Sequence, residues 1–104
     1  MTAPAAKDFT AAYKAAFNTD PSTYSPEAFD AANAMIEAIK AAAKAGTPTR
    51  QSVATAVNSL DYKGITTQVK FDQSGELAQS SQVINLFQQK SGVITILGDI
   101  KNQK

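Results

Sequence analysis

The stretch YSPEAFDAANAMIEAIKAAAKAG, residues 24–46, decides what kind of fold this chain can form. Ser25 followed by Pro26 is typical of a helix N-cap and first helical position. Gly46 predicts a left-handed residue that ends the helix, because glycine adopts that conformation without steric cost. The sequence therefore predicts a long helix from Ser25 to about Ala45.

The apolar residues of this helix recur at helical spacing, which predicts one buried face. The opposite face carries Glu37 and Lys40, an ordinary pair in contact with solvent. We expect the buried stripe to consist of Phe29, Ala32, Ile36, Ile39 and Ala43.

Two further helices are predicted on either side of this one. Upstream, aromatic residues recur every four positions and predict an amphipathic helix over about residues 4–18. We expect it to pack three aromatic side chains into the core: Phe9, Tyr13 and Phe17. Downstream, Thr49 can cap a shorter helix that ends near Leu60.

After the third helix the pattern changes from helical to alternating. Residues 61–64 are read as a turn, and residues 66–71 alternate as a half-buried strand does. The turn formers of residues 72–75 end that strand. Residues 76–82 are polar and predict a loop or an irregular strand.

The end of the chain predicts a hairpin. Residues 83–88 and 93–97 are apolar and read as strands, and the turn between them is Lys90-Ser91-Gly92. Residues 101–104 form a polar tail. The predicted fold class is therefore α/β, or α+β as an isolated piece, with three helices followed by about three short strands.

Composition limits both the core and the chemistry. Ala accounts for 19 of the 45 hydrophobic residues in this 104-residue chain, which leaves 26 side chains large enough to fill a core. That is a thin core for one domain. The chain has no Cys and no His, and its net charge is +1. We therefore expect no enzyme, no cofactor, no zinc site and no nucleic-acid partner.

The turn at residues 72–76 and the aromatic residue Tyr24 are candidates for a site. Residues 72–76, DQSGE, place two carboxylates on one turn, but Leu77 and Ala78 stand where a calcium loop needs oxygen ligands, which favours a structural turn. Tyr24 lies just before the helix start and outside both helical stripes. It is either a packing tyrosine or an aromatic that lines a ligand site.

The order of these pieces resembles the C-terminal third of the branched-chain amino-acid (Leu/Ile/Val-binding) type of ABC-transporter substrate-binding protein. The most specific stretches are residues 28–31, AFDA, where the family usually has Tyr-Asp-Ala, and residues 64–76, GITTQVKFDQSGE. The resemblance covers about residues 9–96. Phe29 stands where the family usually has Tyr, and Gln68 replaces a frequent second glycine.

The resemblance implies a piece of a two-lobed type I periplasmic-binding-protein fold that closes on an amino acid or similar small ligand. The chain, residues 1–104, would be a single fragment sampling both lobes of a periplasmic or cell-surface parent that serves an ABC permease. Tyr24 and Ser25 would then contact the ligand beside the cleft between the lobes. We expect the reading frame to extend upstream of Thr2 and to begin with a secretion signal.

A second interpretation belongs to another class. The chain can be a small α+β interaction or structural domain that buries an exposed apolar face by self-association. Under either interpretation the thin core and the strand edges predict a homo-oligomer for the isolated chain.

Overall fold

The computed structural model describes residues 6–103, which form three helices and four short strands. Two antiparallel two-stranded sheets follow the helices, one formed by the first two strands and the other by the last two. The elements are α1 (Lys7–Phe17), α2 (Ser25–Lys44), α3 (Arg50–Asn58), β1 (Asp61–Lys63), β2 (Gln68–Lys70), β3 (Asn85–Lys90) and β4 (Val93–Asp99). The α+β fold class is confirmed, and the predicted start of the first helix at residues 4–5 lies outside the described residues.

The long helix α2 forms as predicted, but both of its ends differ in detail. Tyr24 occupies the N-cap position, and Ser25 is already helical. The Ser25 hydroxyl instead accepts a hydrogen bond from the Ser22 backbone N–H at 3.0 Å, because the preceding turn closes back onto it. At the other end Gly46 has φ +145°, well outside the left-handed helical region, and Ala45 keeps a right-handed helical conformation.

The cap of α3 is confirmed. Thr49 and Ser52 form a reciprocal capping box, in which the Ser52 backbone N–H donates to the Thr49 hydroxyl at 3.1 Å. The helix ends at Asn58, two residues before the predicted end at Leu60. The backbone N–H of Leu60 still donates to the Val57 carbonyl at 3.1 Å, so the chain leaves the helix through a tight turn.

The prediction of a turn at residues 61–64 was wrong. Asp61–Lys63 is a strand, and it pairs antiparallel with Gln68–Lys70. The chain reverses instead at residues 64–67, where the Gly64 N–H donates to the Thr67 carbonyl at 2.9 Å. The predicted strand over residues 66–71 is correspondingly shorter. Of the two alternatives predicted for residues 76–82, the loop is the one observed, and it contains a short 3-10 helix at Gln79–Ser81.

The C-terminal hairpin is confirmed, although β3 begins two residues later than predicted. Ser91 and Gly92 form the two-residue turn with φ +50° and +81°, the positive values that a twisted hairpin requires. A bulge interrupts the register between Leu86 and Phe87. The tail is not wholly irregular, since Ile100–Asn102 forms a 3-10 helix.

The predicted buried stripe of α2 was wrong, because every member of it is exposed. The helix instead buries a stripe of mostly small side chains, which lets the neighbouring segments approach closely. This stripe consists of Pro26, Asp30, Ala34, Ala38 and Ala42. The aromatic residues of α1 are not buried either, and Phe17 is 65% exposed.

The molecule is flat, which leaves little interior. Its principal extents are 57 × 37 × 16 Å, and its radius of gyration is 16.7 Å, whereas a compact chain of this length has about 13 Å. Among the described residues no large side chain is fully buried. The thin core predicted from composition is therefore confirmed.

Asp30 joins α2 to the loop between β1 and β2. Its side chain is 2% exposed and accepts hydrogen bonds from the backbone N–H groups of Ile65 and Thr66, each at 2.8 Å. The Thr66 hydroxyl donates a third bond at 2.5 Å. A Cβ at Gly64 would lie 2.5 Å from the Asp30 Cγ, closer than real contacts allow. A glycine is therefore required beside the carboxylate.

We expect Gly64→Ala and Asp30→Asn each to lower the free energy of unfolding by about 1–3 kcal/mol. The alanine methyl would overlap the carboxyl group, and an asparagine would turn an N–H donor toward the loop's own donors. Urea unfolding measures the loss. The matched control is Asp20→Asn, which removes an exposed pair with Lys14 and should cost at most about 1 kcal/mol. Equal urea midpoints for wild type and Asp30→Asn would contradict this role.

Candidate functional site

An apolar groove lies between α1 and the start of α2. Its volume is about 610 Å³, within the usual range for small-molecule sites. Ser25 and Ile65 line it together with four aromatic side chains, so residues from α1, α2 and the β1–β2 loop meet there. The aromatic residues are Phe9, Tyr13, Phe17 and Phe29.

The aromatic side chains form a tilted ladder along the groove. The Tyr13 and Phe17 ring centroids are 4.7 Å apart, and those of Phe9 and Tyr13 are 5.7 Å apart. Phe9 also packs on Phe29 of α2 with a centroid distance of 5.3 Å. The Phe9–Phe29 contact joins α1 to α2, whereas the other two lie within α1. The predicted aromatic stripe is thus real, but it lines a surface groove and not a core.

The structure brings one of the two predicted site residues, Ser25, to the groove. The Tyr24 side chain is 76% exposed and is not among the groove-lining residues, whereas Ser25 lines the groove. The hydroxyls of Ser25 and Ser22 lie 3.2 Å apart, so Ser25 already has a local polar partner. The Tyr24 side chain is therefore largely exposed to solvent and is not part of the groove lining.

A second cavity of about 610 Å³ lies between the β1–β2 loop and the hairpin. It is more polar than the aromatic groove, because it contains the carboxylates of Glu27 and Asp99 and the hydroxyls of Thr66 and Thr67. The Thr67 hydroxyl donates to the backbone carbonyl of Ser81. The Asp99 carboxylate accepts a hydrogen bond from the Lys101 backbone N–H at 2.9 Å, and the Thr66 hydroxyl donates to Asp30. Three of the four polar groups therefore already have partners within the chain.

The turn at residues 72–76 is structural, as predicted. The Asp72 carboxylate accepts hydrogen bonds from the Ser74 N–H at 2.9 Å, the Ser74 hydroxyl at 2.6 Å and the Glu76 N–H at 3.1 Å. These bonds, that of the Ser74 hydroxyl first, hold the pKa of Asp72 below its ordinary value. Within residues 6–103 no group of three or more potential ligand side chains is arranged to hold a metal ion.

Asp61 carries the other perturbed carboxylate, on β1. Lys70 of the paired strand donates to it at 3.0 Å, and the Gln68 side chain also donates to it. The hydrogen bond to Lys70, with help from Gln68, lowers the pKa of Asp61. The lowered pKa means that the contact with Lys70 stabilises the charged carboxylate in the folded state. At neutral pH, where Asp61 is charged, this contact therefore stabilises the pairing of β1 with β2.

Comparison with known proteins adds the decisive observation. Residues 1–92 match the sequence model of a family described as periplasmic binding protein. The chain belongs to the periplasmic binding protein family. Searches among curated proteins and among solved structures returned no match.

Membership of the periplasmic binding protein family is consistent with the architecture, an α+β piece with short antiparallel strands. The family is a solute-binding and non-enzymatic one, and its name indicates an extracytoplasmic parent. Within the described residues, no helix combines the length and the hydrophobicity needed to cross a membrane.

The sequence analysis missed the role of Asp30. Residues 28–31 and 64–76, the two stretches that carry the family resemblance, meet in the structure through this carboxylate. A signal was present, since Asp30 lies in phase with Ala34 and Ala38 on α2. A carboxylate in line with small residues indicates a buried acceptor. The neighbouring stripe contains larger apolar residues, and for that reason it was predicted, wrongly, to be the buried face of α2.

We expect Lys70→Met to raise the pKa of Asp61 toward its ordinary value of 3.8. The folded pKa is lowered, so the stabilisation from this group is present above the ordinary value and is lost as pH falls through the folded pKa. NMR titration of the Asp61 carboxyl carbon measures the shift. Lys63→Met, on the same sheet, is the control and should leave the Asp61 titration in place. An unchanged midpoint in Lys70→Met would refute the assignment.

Proposed function

We propose that this chain is the C-terminal third of an extracytoplasmic solute-binding protein that delivers a branched-chain amino acid, or a similar small molecule, to an ABC permease. The observation that carries the proposal is the family match over residues 1–92. The resemblance of residues 28–31 and 64–76 to the Leu/Ile/Val-binding type supports the substrate class. The chain would contribute segments to both lobes of the parent.

The aromatic groove supports an apolar ligand group. Its lining is almost wholly hydrocarbon, with Asp8 the only charged residue among the described residues that line it. An aliphatic side chain gains free energy in such a lining, at about 25 cal/mol per Å² of apolar area removed from water. The α-ammonium and α-carboxylate of an amino acid each need charged or hydrogen-bonding partners, which the rest of the parent would supply.

Tyr24 and Ser25 are the proposed ligand contacts within this chain. Tyr24 presents an apolar ring with a polar tip and is 76% exposed, so it is free to close over a ligand held beside α2. Ser25 lines the groove and carries a hydroxyl that exchanges a hydrogen bond with Ser22. A bound polar group could replace that local partner.

We expect the isolated chain to bind leucine-like amino acids very weakly or not at all, because it offers the apolar half of a site without the groups that hold the charged ends. Isothermal titration calorimetry with leucine tests this. Full-length parent protein is the positive control and should bind. A micromolar or tighter dissociation constant for the isolated chain would mean that the site is complete here, contrary to the proposal.

In the full-length parent we expect Tyr24→Ala to weaken ligand binding by about 1–3 kcal/mol, the scale of one well-packed aromatic contact. It should cost less stability than Phe29→Ala, which removes the ring that packs on Phe9. Calorimetric titration and thermal unfolding measure the two effects. Phe87→Ala is the matched control, since Phe87 is 52% exposed on β3 and does not line the groove. Unchanged affinity in Tyr24→Ala would remove Tyr24 from the site.

The second candidate is a small α+β interaction domain that self-associates. Exposed large apolar side chains favour it, for example Met35, Ile36 and Ile39 on α2. The rest of a two-lobed parent would cover the same surface. The upstream reading frame separates the two candidates, because a parent requires further coding sequence and a secretion signal ahead of Thr2.

A further inference from the structure

The buried carboxylate of Asp30 holds the backbone of a residue that lines the aromatic groove. Asp30 is 2% exposed and is not itself among the groove-lining residues. Its Oδ1 atom accepts a hydrogen bond from the backbone N–H of Ile65 at 2.8 Å, and Ile65 lines the groove. Phe29, the residue before Asp30, lines the groove as well. One wall of the groove, formed by Phe29 and Ile65, is therefore fixed by a hydrogen bond to a buried carboxylate.

The loop around Ile65 is also held beyond that bond. The Thr66 backbone N–H donates to Asp30 Oδ2 at 2.8 Å, and the Gly64 N–H donates to the Thr67 carbonyl at 2.9 Å. Isoleucine is branched at Cβ, which restricts its χ1 angle. Ile65 therefore combines a held backbone with a stiff side chain, and moving it aside for a bound group would break hydrogen bonds to Asp30.

The opposite wall of the groove is attached differently. It consists of α1 side chains, among them the rings of Phe9, Tyr13 and Phe17. Within residues 6–103 no hydrogen bond or ion pair joins α1 to α2 or to the β1–β2 loop, whereas the tilted contact between Phe9 and Phe29 does. Apolar contacts have no fixed direction, so this wall can shift at less cost than the loop can leave Asp30. The Ile65 side is therefore the one whose position does not adjust.

The groove has few polar groups with which to distinguish one apolar ligand group from another. Asp8 is the one charged residue among the described residues that line it, and the Ser25 hydroxyl already lies 3.2 Å from that of Ser22. Tyr13 carries the remaining hydroxyl of the lining. Two uncharged apolar groups must therefore be distinguished by how well they fit the hydrocarbon walls.

We propose that Ile65 limits the size of the apolar group that the groove accepts, and that Asp30 is the residue that positions it. This inference rests on the proposed function, in which the groove receives the apolar group of the ligand. A group that reaches Ile65 meets a wall that does not yield, so additional carbon atoms overpack the groove there. Shortening Ile65 removes contacts from a small group and makes room for a larger one.

Two uncharged probes test the size limit. Isovaleramide carries the isobutyl group of a leucine side chain, and phenylacetamide carries the larger benzyl group of a phenylalanine side chain. Neither has the charged ends whose partners the rest of the parent would supply, so both can be titrated against the chain itself while its amide NMR signals are followed.

We expect the amide signals of Phe29 and Ile65 to shift saturably with each probe. Ile65→Ala should change the ratio of the two dissociation constants about tenfold in favour of phenylacetamide, near the effect of one methylene in an apolar pocket. Ile36→Ala is the matched control and should leave the ratio unchanged, because Ile36 is exposed on α2 and does not line the groove.

Asp30→Asn tests the positioning role separately. We expect it to move the ratio in the same direction as Ile65→Ala does, because a loosened Ile65 yields to the larger probe. In an Ile65→Ala background it should leave the ratio unchanged, because the side chain that it positions is absent. An equal effect of Asp30→Asn in both backgrounds would be that of a purely structural residue and would overturn the positioning role.

Circular dichroism checks that each variant folds. If Asp30→Asn or Ile65→Ala does not fold, Ile65→Val decides, since it removes a single methyl group, keeps the branch at Cβ and should shift the ratio in the same direction by a smaller factor. An unchanged ratio in a folded Ile65 variant, with both probes still bound at the groove, overturns the inference and leaves the proposed function standing. If neither probe shifts the signals of Phe29 and Ile65 in the wild-type chain, the inference fails together with the role of the groove in the proposed function.

Discussion

The carboxylate of Asp30 is the contact on which the arrangement of this molecule depends. It is the buried charged side chain of α2, and it accepts three hydrogen bonds from a loop that lies 35 residues further along the chain. A buried carboxylate without partners would be strongly unfavourable, so the loop must close on it if the helix is to pack there. Gly64 completes the arrangement because any side chain at that position would occupy the space of the carboxyl group.

Small residues make this close approach possible. Ala34, Ala38 and Ala42 continue the stripe that begins with Pro26 and Asp30, and they leave α2 with a smooth buried face. The larger apolar side chains of the helix project elsewhere and stay exposed, as Ile36 and Ile39 do. The molecule thus gains close packing of backbone at the expense of apolar volume in its core. Because the buried face of α2 is made of small side chains and the larger apolar ones lie outside it, the molecule is flat and exposes apolar surface.

That surface connects the structure to function. We have proposed that the chain is a piece of a larger solute-binding protein, and such a piece would expose the faces that the rest of the protein covers. The aromatic groove beside Ser25 and the outer edge of β4 are two exposed surfaces of the described residues, and they differ in chemistry. The groove offers side-chain surface to a small apolar group, whereas the strand edge offers backbone hydrogen bonds to another strand.

The sequence by itself determined the elements whose signals are local. The Pro26 start of α2, the Thr49 cap of α3 and the Ser91-Gly92 hairpin turn depend on neighbouring residues only, so they could be predicted, with errors of one or two residues at the ends. The family resemblance rested on the order of such elements. Tertiary structure alone decided which face of α2 is buried, that Asp61–Lys63 is a strand, and that Asp30 meets the Gly64 loop. These features depend on a partner segment distant in sequence, and periodicity identifies a stripe without showing what will cover it.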